Sequence, residues 1–181
     1  MPRLEAVAPS RTDGRAKDLL DGVQKKLGRT PNLMRTMANS PAALDGYLSF
    51  SGTLQTGVLS TAIREQIALT VGEVNGCEYC LTAHSAIGRM VGLVDSQIEA
   101  SRSGLSDDPK VQAVLTFARR LVVERGRVSD TALADAKSAG VTDEEIAEIV
   151  ANVALNIFTN YFNLVADTQV DFPAAPKQAA A

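Results

Sequence analysis

Histidine occurs once in these 181 residues, cysteine twice and tryptophan not at all. Any thiol or imidazole chemistry therefore belongs to Cys77, Cys80 and His84, which stand close together in the chain. There is no excess of positive charge: 18 Lys and Arg face 21 Asp and Glu, a formal net charge of −3. That argues against a nucleic-acid partner, which demands a basic face. No unbroken apolar run approaches the ~20 residues that span a bilayer, so no membrane partner is expected. The opening MPRLEAVAPSRTDGR lacks the apolar centre of a secretory signal. Thirteen Gly and seven Pro are too few for a low-complexity or collagen-like chain. What remains is a 45% hydrophobic, 22% charged chain of a length that suits one domain with a real core. A cytoplasmic location is expected, where thiols stay reduced unless they do redox work.

Polar punctuation at helix-sized intervals predicts an all-α fold. Residues 1–12 read as a flexible N-terminal arm, 13–172 as a single helical domain and 173–181 as a flexible tail. Asp13 heads a first helix ending near Gly28, and Thr30-Pro31 opens a brief second one. Ser40-Pro41 places a cap before a proline at the first helical position, heading a helix to about Thr56. Ser60 caps the next, in which Ile63, Ile67, Val71 and Val74 recur at three- and four-residue steps. Asn75-Gly76 breaks that run and a new helix begins with Cys77. Helices led by Asp95, Asp108-Pro109 and Ser129 follow. Thr142 with Glu145 has capping-box spacing and heads the longest apolar stretch. No convincing period-two strand is found.

With Cys77 to His84 read as helical, Cys80 and His84 lie one turn apart on one face, and Cys77 shares it two turns before His84. His84 leans back over Cys80, because helical side chains point toward the N-terminus. Both cysteines fall in the first turn, where unpaired amides and the helix dipole favour an anion. A free thiol near pKa ~8.5 is only a few per cent ionised at neutral pH, whereas helix N-termini and CxxC motifs lower the value to about 3.5–7.5. The thiolate is the reactive species, and a nearby histidine can take the proton or hold the ion pair. Helical Cβ spacing of about 5–6 Å exceeds the ~3.8 Å that a disulfide wants, so closing the bond calls for a local adjustment and leaves it readily reduced. Glu65, on the preceding helix, reaches His84 if the two helices pack antiparallel.

The run EQIALTVGEVNGCEYCLTAH, with Glu65, Cys77, Cys80 and His84 at fixed spacing, resembles the signature of the AhpD-like alkyl hydroperoxidase branch of the carboxymuconolactone decarboxylase family. A weaker likeness to its peroxidase-related subgroup extends through NVALNIFTNYFNLVADTQVDFP, so the resemblance covers roughly residues 15–172. It implies an all-helical, homo-oligomeric protein (trimer, dimer or hexamer) that reduces organic hydroperoxides with no haem, flavin or metal cofactor. By the resemblance Cys80 is the peroxidatic thiol, Cys77 resolves its sulfenic acid to a disulfide, and Glu65 and His84 relay protons. A dithiol reductant, lipoyl-bearing or thioredoxin-like, restores both thiols. The chain departs from the family at two places: Tyr79 stands where well-studied members carry His between the cysteines, and Leu164 where closer relatives often have His. The absence of the CxxC pair from the family's true decarboxylases argues against ring decarboxylation here.

Other readings of the same residues stay open. Cys77, Cys80, His84 and Glu65 are also a possible zinc ligand set, since a structural site wants four donors. Two buried cysteines with a satisfied histidine, or a redox sensor whose disulfide alters its oligomeric contacts, fit the motif as well. Glu65 has Arg64 and Arg89 as alternative partners. Asn152, Asn156, Asn160 and Asn163 form a polar stripe on the last helix, for hydrogen bonds between helices or subunits, or for a substrate pocket lined by Asn160 and Tyr79. Tyr47 and Phe50 are expected in the core.

Overall fold

Five polar residues one position ahead of a helix use their side chains as caps. Ser40, Ser60, Asp108, Ser129 and Thr142 each accept a backbone N–H from two or three residues further on. Such a cap is worth about 1 kcal/mol, because it satisfies an amide that the helix leaves unpaired. Thr142 completes its box, with the Glu145 carboxylate accepting from the Thr142 amide at 2.8 Å. Asp13 heads its helix without a side-chain capping bond.

The computed structural model describes residues 1–173. It contains nine α-helices among the described residues: α1 Gly14–Leu27, α2 Asn32–Met37, α3 Pro41–Leu54, α4 Thr61–Val74, α5 Glu78–Met90, α6 Asp95–Arg102, α7 Pro109–Val123, α8 Asp130–Ser138 and α9 Asp143–Ala166. No strand occurs among those residues, so the fold is all-α as the capping pattern implies. Most of the expected tail, residues 174–181, lies outside the described residues. The N-terminal residues 1–12 are hydrogen-bonded to the body: Arg3 N–H donates to the Ala166 carbonyl at 2.8 Å and Val7 N–H to that of Arg35 at 3.1 Å.

Helix α4 is the centre of the packing and touches α5, α6, α7 and α9. Its Ile67 and Val71 are fully buried against Leu115 and Ala118 of α7 and Ile149 of α9. A second core joins Leu20 of α1, Leu33 and Met37 of α2 and Leu44 of α3 to Cys77, Tyr79 and Cys80. Burying each such aliphatic side chain contributes about 1.5–3 kcal/mol, so the cysteines are set in one of the two main apolar clusters. Phe50, expected in the core, is instead 40% exposed on α3.

Helix α9 amends the expectation about membranes. By length and composition this 24-residue helix, whose most apolar 18-residue window has a mean hydropathy of 1.3, is enough to cross one. The same helix buries Asn152, Asn156, Asn160 and Asn163 and packs on α3, α4, α5 and α7. Central helices of a folded domain have the same length and hydropathy.

Glu148 of α9 ties the loop before α4, accepting from the amides of Val58 at 2.7 Å and Leu59 at 3.0 Å. A Cβ on Gly57 would collide with that carboxylate. Gly57→Ala is expected to displace it and lower stability by about 1–3 kcal/mol, the scale of stranding hydrogen-bonded groups. Repeating the substitution in a Glu148→Ala background should remove most of the loss, read as a double-mutant cycle of denaturant midpoints. Equal losses in both backgrounds would contradict the contact.

Candidate active site

Gly76 adopts φ +66°, a left-handed conformation that L side chains rarely take. With it, Cys77 N–H reaches back to the Gly72 carbonyl at 2.9 Å and Gly76 N–H to that of Glu73 at 3.1 Å, closing α4. The chain reverses at once, so Cys77 is the N-cap of α5 and not part of it, a correction to the helical reading of that residue. Its φ and ψ of −88° and 92° are extended, and its sulfur accepts from the Cys80 amide at 3.3 Å. Here is the local adjustment that fully helical spacing demands. The two residues form a disulfide with Cα atoms 5.3 Å apart, inside the usual range of about 4.4–6.8 Å.

Helices α4 and α5 run antiparallel, with Gly72 beside Cys80 and Leu81 and Glu65 beside His84. His84 Nδ1 lies 2.7 Å from Glu65 Oε2, with side-chain exposures of 22% and 14%. An ionised carboxylate only accepts, so Nδ1 carries the proton and Nε2 is the ring nitrogen left for chemistry. The alternative partners of Glu65 are engaged elsewhere: Arg64 donates to the Leu59 carbonyl and the Thr61 hydroxyl, and Arg89 pairs with Asp95 at 2.8 Å.

A cavity of about 630 Å³ opens beside this pair. Its walls include Leu33, Met34, Leu48, Leu155 and Phe172, with Cys80, His84 and Glu65 also exposed to it. Cys77 is not among the lining residues, and both cysteines are almost wholly buried, at 1% and 2% exposed. Tyr47 also faces the cavity. Burial, with the charge of Glu65 adding to it and Ser51 opposing, pushes its phenol up to about 12.

Asn160 does not line the cavity, contrary to the sequence expectation. It is fully buried and accepts from Asn75 Nδ2 at 2.8 Å, linking α9 to the end of α4. At about 100° per residue it stands about 80° around α9 from Asn152, while Asn156 and Asn163 stand about 40° and 20° away and do face the cavity. Asn152 and Asn156 bond back to their own helix, at the Glu148 and Asn152 carbonyls. Asn163 is different: its Nδ2 donates to Cys80 Sγ at 3.3 Å, and its Oδ1 is buried with no partner. An unpaired buried acceptor costs about 1–3 kcal/mol. The four-residue recurrence pointed to the stripe, but nothing in the sequence singled out Asn163 within it.

The zinc reading needs two free thiolates and four converging donors. Here the sulfurs are bonded to each other, and among the described residues no three His, Cys, Asp or Glu side chains converge on a possible metal position.

The arrangement of a Glu–His pair and one cysteine on a single cavity can be compared with known proteins. Residues 41–124, which hold Glu65, Cys77, Cys80 and His84, match the model of the carboxymuconolactone decarboxylase family. The chain is similar to that family over this stretch. Its fold is that of a peroxidase-related protein with an alkylhydroperoxidase AhpD core from Ralstonia eutropha JMP134, at 22% identity and TM-score 0.85, covering 94% of this chain and 92% of that one. A peroxidase-related protein from Silicibacter sp. TM1040 is 23% identical, with TM-score 0.79 over 93% and 94% of the two chains. The debrominase Bmp8, solved with 2,3,4-tribromopyrrole, is 20% identical, with TM-score 0.79 over 93% and 91%. No curated protein is similar enough in sequence to match.

Within this fold the residue between the cysteines has a structural role. Tyr79 OH donates to Asp171 Oδ1 at 2.9 Å and accepts from the Leu33 amide at 3.1 Å. Asp171 also pairs with Arg29 at 2.6 Å, and Phe172 meets the Tyr79 ring edge-on with centroids 5.8 Å apart. Tyr79 thus pins the segment after α9 against the cavity wall. Leu164, the other departure from the family pattern, is 43% exposed, while its neighbour Asn163 faces the sulfur.

Burial first, and then the Asp171 carboxylate, hold the Tyr79 phenol far above its ordinary value of about 10. Below that pH tyrosine is neutral in the folded and unfolded chain alike, so its contribution to stability is complete. Above it only the unfolded chain ionises, and the contribution is lost as pH rises. Tyr79→Phe is expected to cost about 1–3 kcal/mol at neutral pH, because Asp171 and the Leu33 amide lose a partner. The gap to wild type should narrow above pH ~10 in thermal unfolding. A gap that widens there would contradict this assignment.

Proposed function

We propose that the chain is a thiol peroxidase that reduces organic hydroperoxides through the Cys77–Cys80 dithiol. One observation carries this reading: of two equally buried sulfurs, only Cys80 faces the cavity shared with Glu65 and His84. The reduced Cys80 thiolate attacks the terminal oxygen of the hydroperoxide. The O–O bond breaks, the departing alkoxide takes a proton relayed through His84 and leaves as an alcohol, and Cys80 becomes a sulfenic acid. Cys77 attacks that sulfur, water leaves and the disulfide forms. Two electrons from an external dithiol reopen it through a mixed disulfide. Glu65 holds Nδ1–H of His84, which keeps Nε2 available for the proton.

The apolar walls and the volume favour a substrate with an organic body over hydrogen peroxide. The depth of the disulfide favours a reductant that presents its dithiol on a slender arm, as a lipoyl group does, over the broad face of a thioredoxin-like protein. A homo-oligomer (trimer, dimer or hexamer) in the cytoplasm completes the proposal. The exposed Phe158, Tyr161 and Val165 of α9 support a subunit contact.

Consumption of cumene hydroperoxide with a dithiol reductant tests the reading. Wild type should turn over, Cys80→Ser should be inactive, and Glu65→Gln should be slower by about 10²–10⁴, the scale of general acid–base assistance. Cys77→Ser should accumulate a sulfenic acid visible by mass spectrometry. Full activity of Cys80→Ser would end the proposal. No turnover together with a redox-linked change in particle size would instead favour the sensor.

A further inference from the structure

The hydrogen bond from Asn163 to sulfur is not used by the mechanism above. Cys80 Sγ has the Asn163 amide 3.3 Å away, inside a site where both residues are nearly inaccessible, at 2% and 4%. The other buried asparagines of α9 satisfy their side-chain N–H groups on their own helix or have none aimed at a reacting atom. Asn163 holds its amide with the nitrogen to the sulfur, although this leaves Oδ1 buried without a donor. A divalent disulfide sulfur is a weak acceptor and a thiolate a strong one, so the bond is stronger in the reduced state.

We propose that Asn163 is a catalytic residue that donates its amide hydrogen to the Cys80 thiolate, holding it ionised and aimed into the cavity. The proposal rests on the peroxidase reading for its biological use, but its chemistry concerns the dithiol alone. When an external dithiol opens the disulfide, the S–S bond breaks, two electrons enter, and the same N–H receives Cys80 as it becomes a thiolate. One donor therefore favours both the reactive form and the reduction that regenerates it.

Other groups around the thiolate set the background. Helix α3 contributes Tyr47 and Ser51, α4 contributes Arg64 and Glu65, and α5 contributes His84 and Tyr79. Lys26 and Arg29 lie at the end of α1 and just beyond it, and Asp171 stands behind Tyr79. Helix α9 offers no charge toward the cavity; its polar lining residues are Asn152, Asn156, Thr159 and Asn163.

The experiment measures iodoacetamide alkylation of Cys80 against pH in a Cys77→Ser background, with and without Asn163→Leu or Asn163→Ala. Removal of the donor should raise the midpoint by about one unit, which lowers the thiolate fraction about tenfold well below the midpoint. With Cys77 restored, the equilibrium of the disulfide with dithiothreitol should shift about tenfold toward the oxidised form, about 30 mV for two electrons. Asn160→Ala, which removes the buried bond to Asn75, should leave both readings in place. In the Cys77→Ser protein with Asn163 intact, the Asn163 side-chain amide resonance should titrate at the alkylation midpoint. Folded Asn163 variants with unchanged midpoint and equilibrium, or an amide resonance that ignores Cys80 ionisation, would overturn the proposal. None of these readings uses a peroxide, so loss of the peroxidase reading and loss of the Asn163 role give different results.

Discussion

The left-handed turn at Gly76 decides how the two sulfurs stand. It ends α4, sends the chain back along it and leaves Cys77 outside α5 as the capping residue. The antiparallel pairing that follows sets Glu65 against His84 and brings Cys80 under α9. A side chain at position 76 would strain that reversal, because the left-handed region costs any residue with a Cβ. The Glu65–His84 and Cys80–Asn163 contacts both follow from this reversal.

The consequence is an asymmetry between chemically identical groups. Both cysteines sit in the α1–α3 cluster, but Cys77 caps a helix away from the cavity, whereas Cys80, equally buried, borders it. An attacking sulfur must meet the oxidant and a resolving sulfur need only meet its partner. The division of labour thus follows from which sulfur touches the empty space. The segment after α9, held through Asp171 to Tyr79 and Arg29, forms part of the wall.

Much of this was legible in the chain. Caps and prolines marked nearly every helix, because they answer local hydrogen-bonding needs that the sequence states directly. Glu65 with His84 followed from one geometric condition, antiparallel packing. Three features were not legible. Cys77 as a cap depends on where the helix starts, which shifts by a residue according to the preceding turn. Asn160 and Asn163 differ by a rotation about α9 that only the neighbouring helices fix. The role of Tyr79 depends on Asp171, 92 residues away, and no local pattern connects them.

The most direct test of the asymmetry is competitive labelling of the fully reduced wild-type chain. A limiting amount of a small apolar alkylating agent is added at neutral pH, and peptide mass spectrometry reads which cysteine is modified first. Modification of Cys80 well ahead of Cys77 is the expected result. Modification of Cys77 first, or of both at equal rates, would contradict the assignment of the cavity-facing sulfur as the one that meets the oxidant.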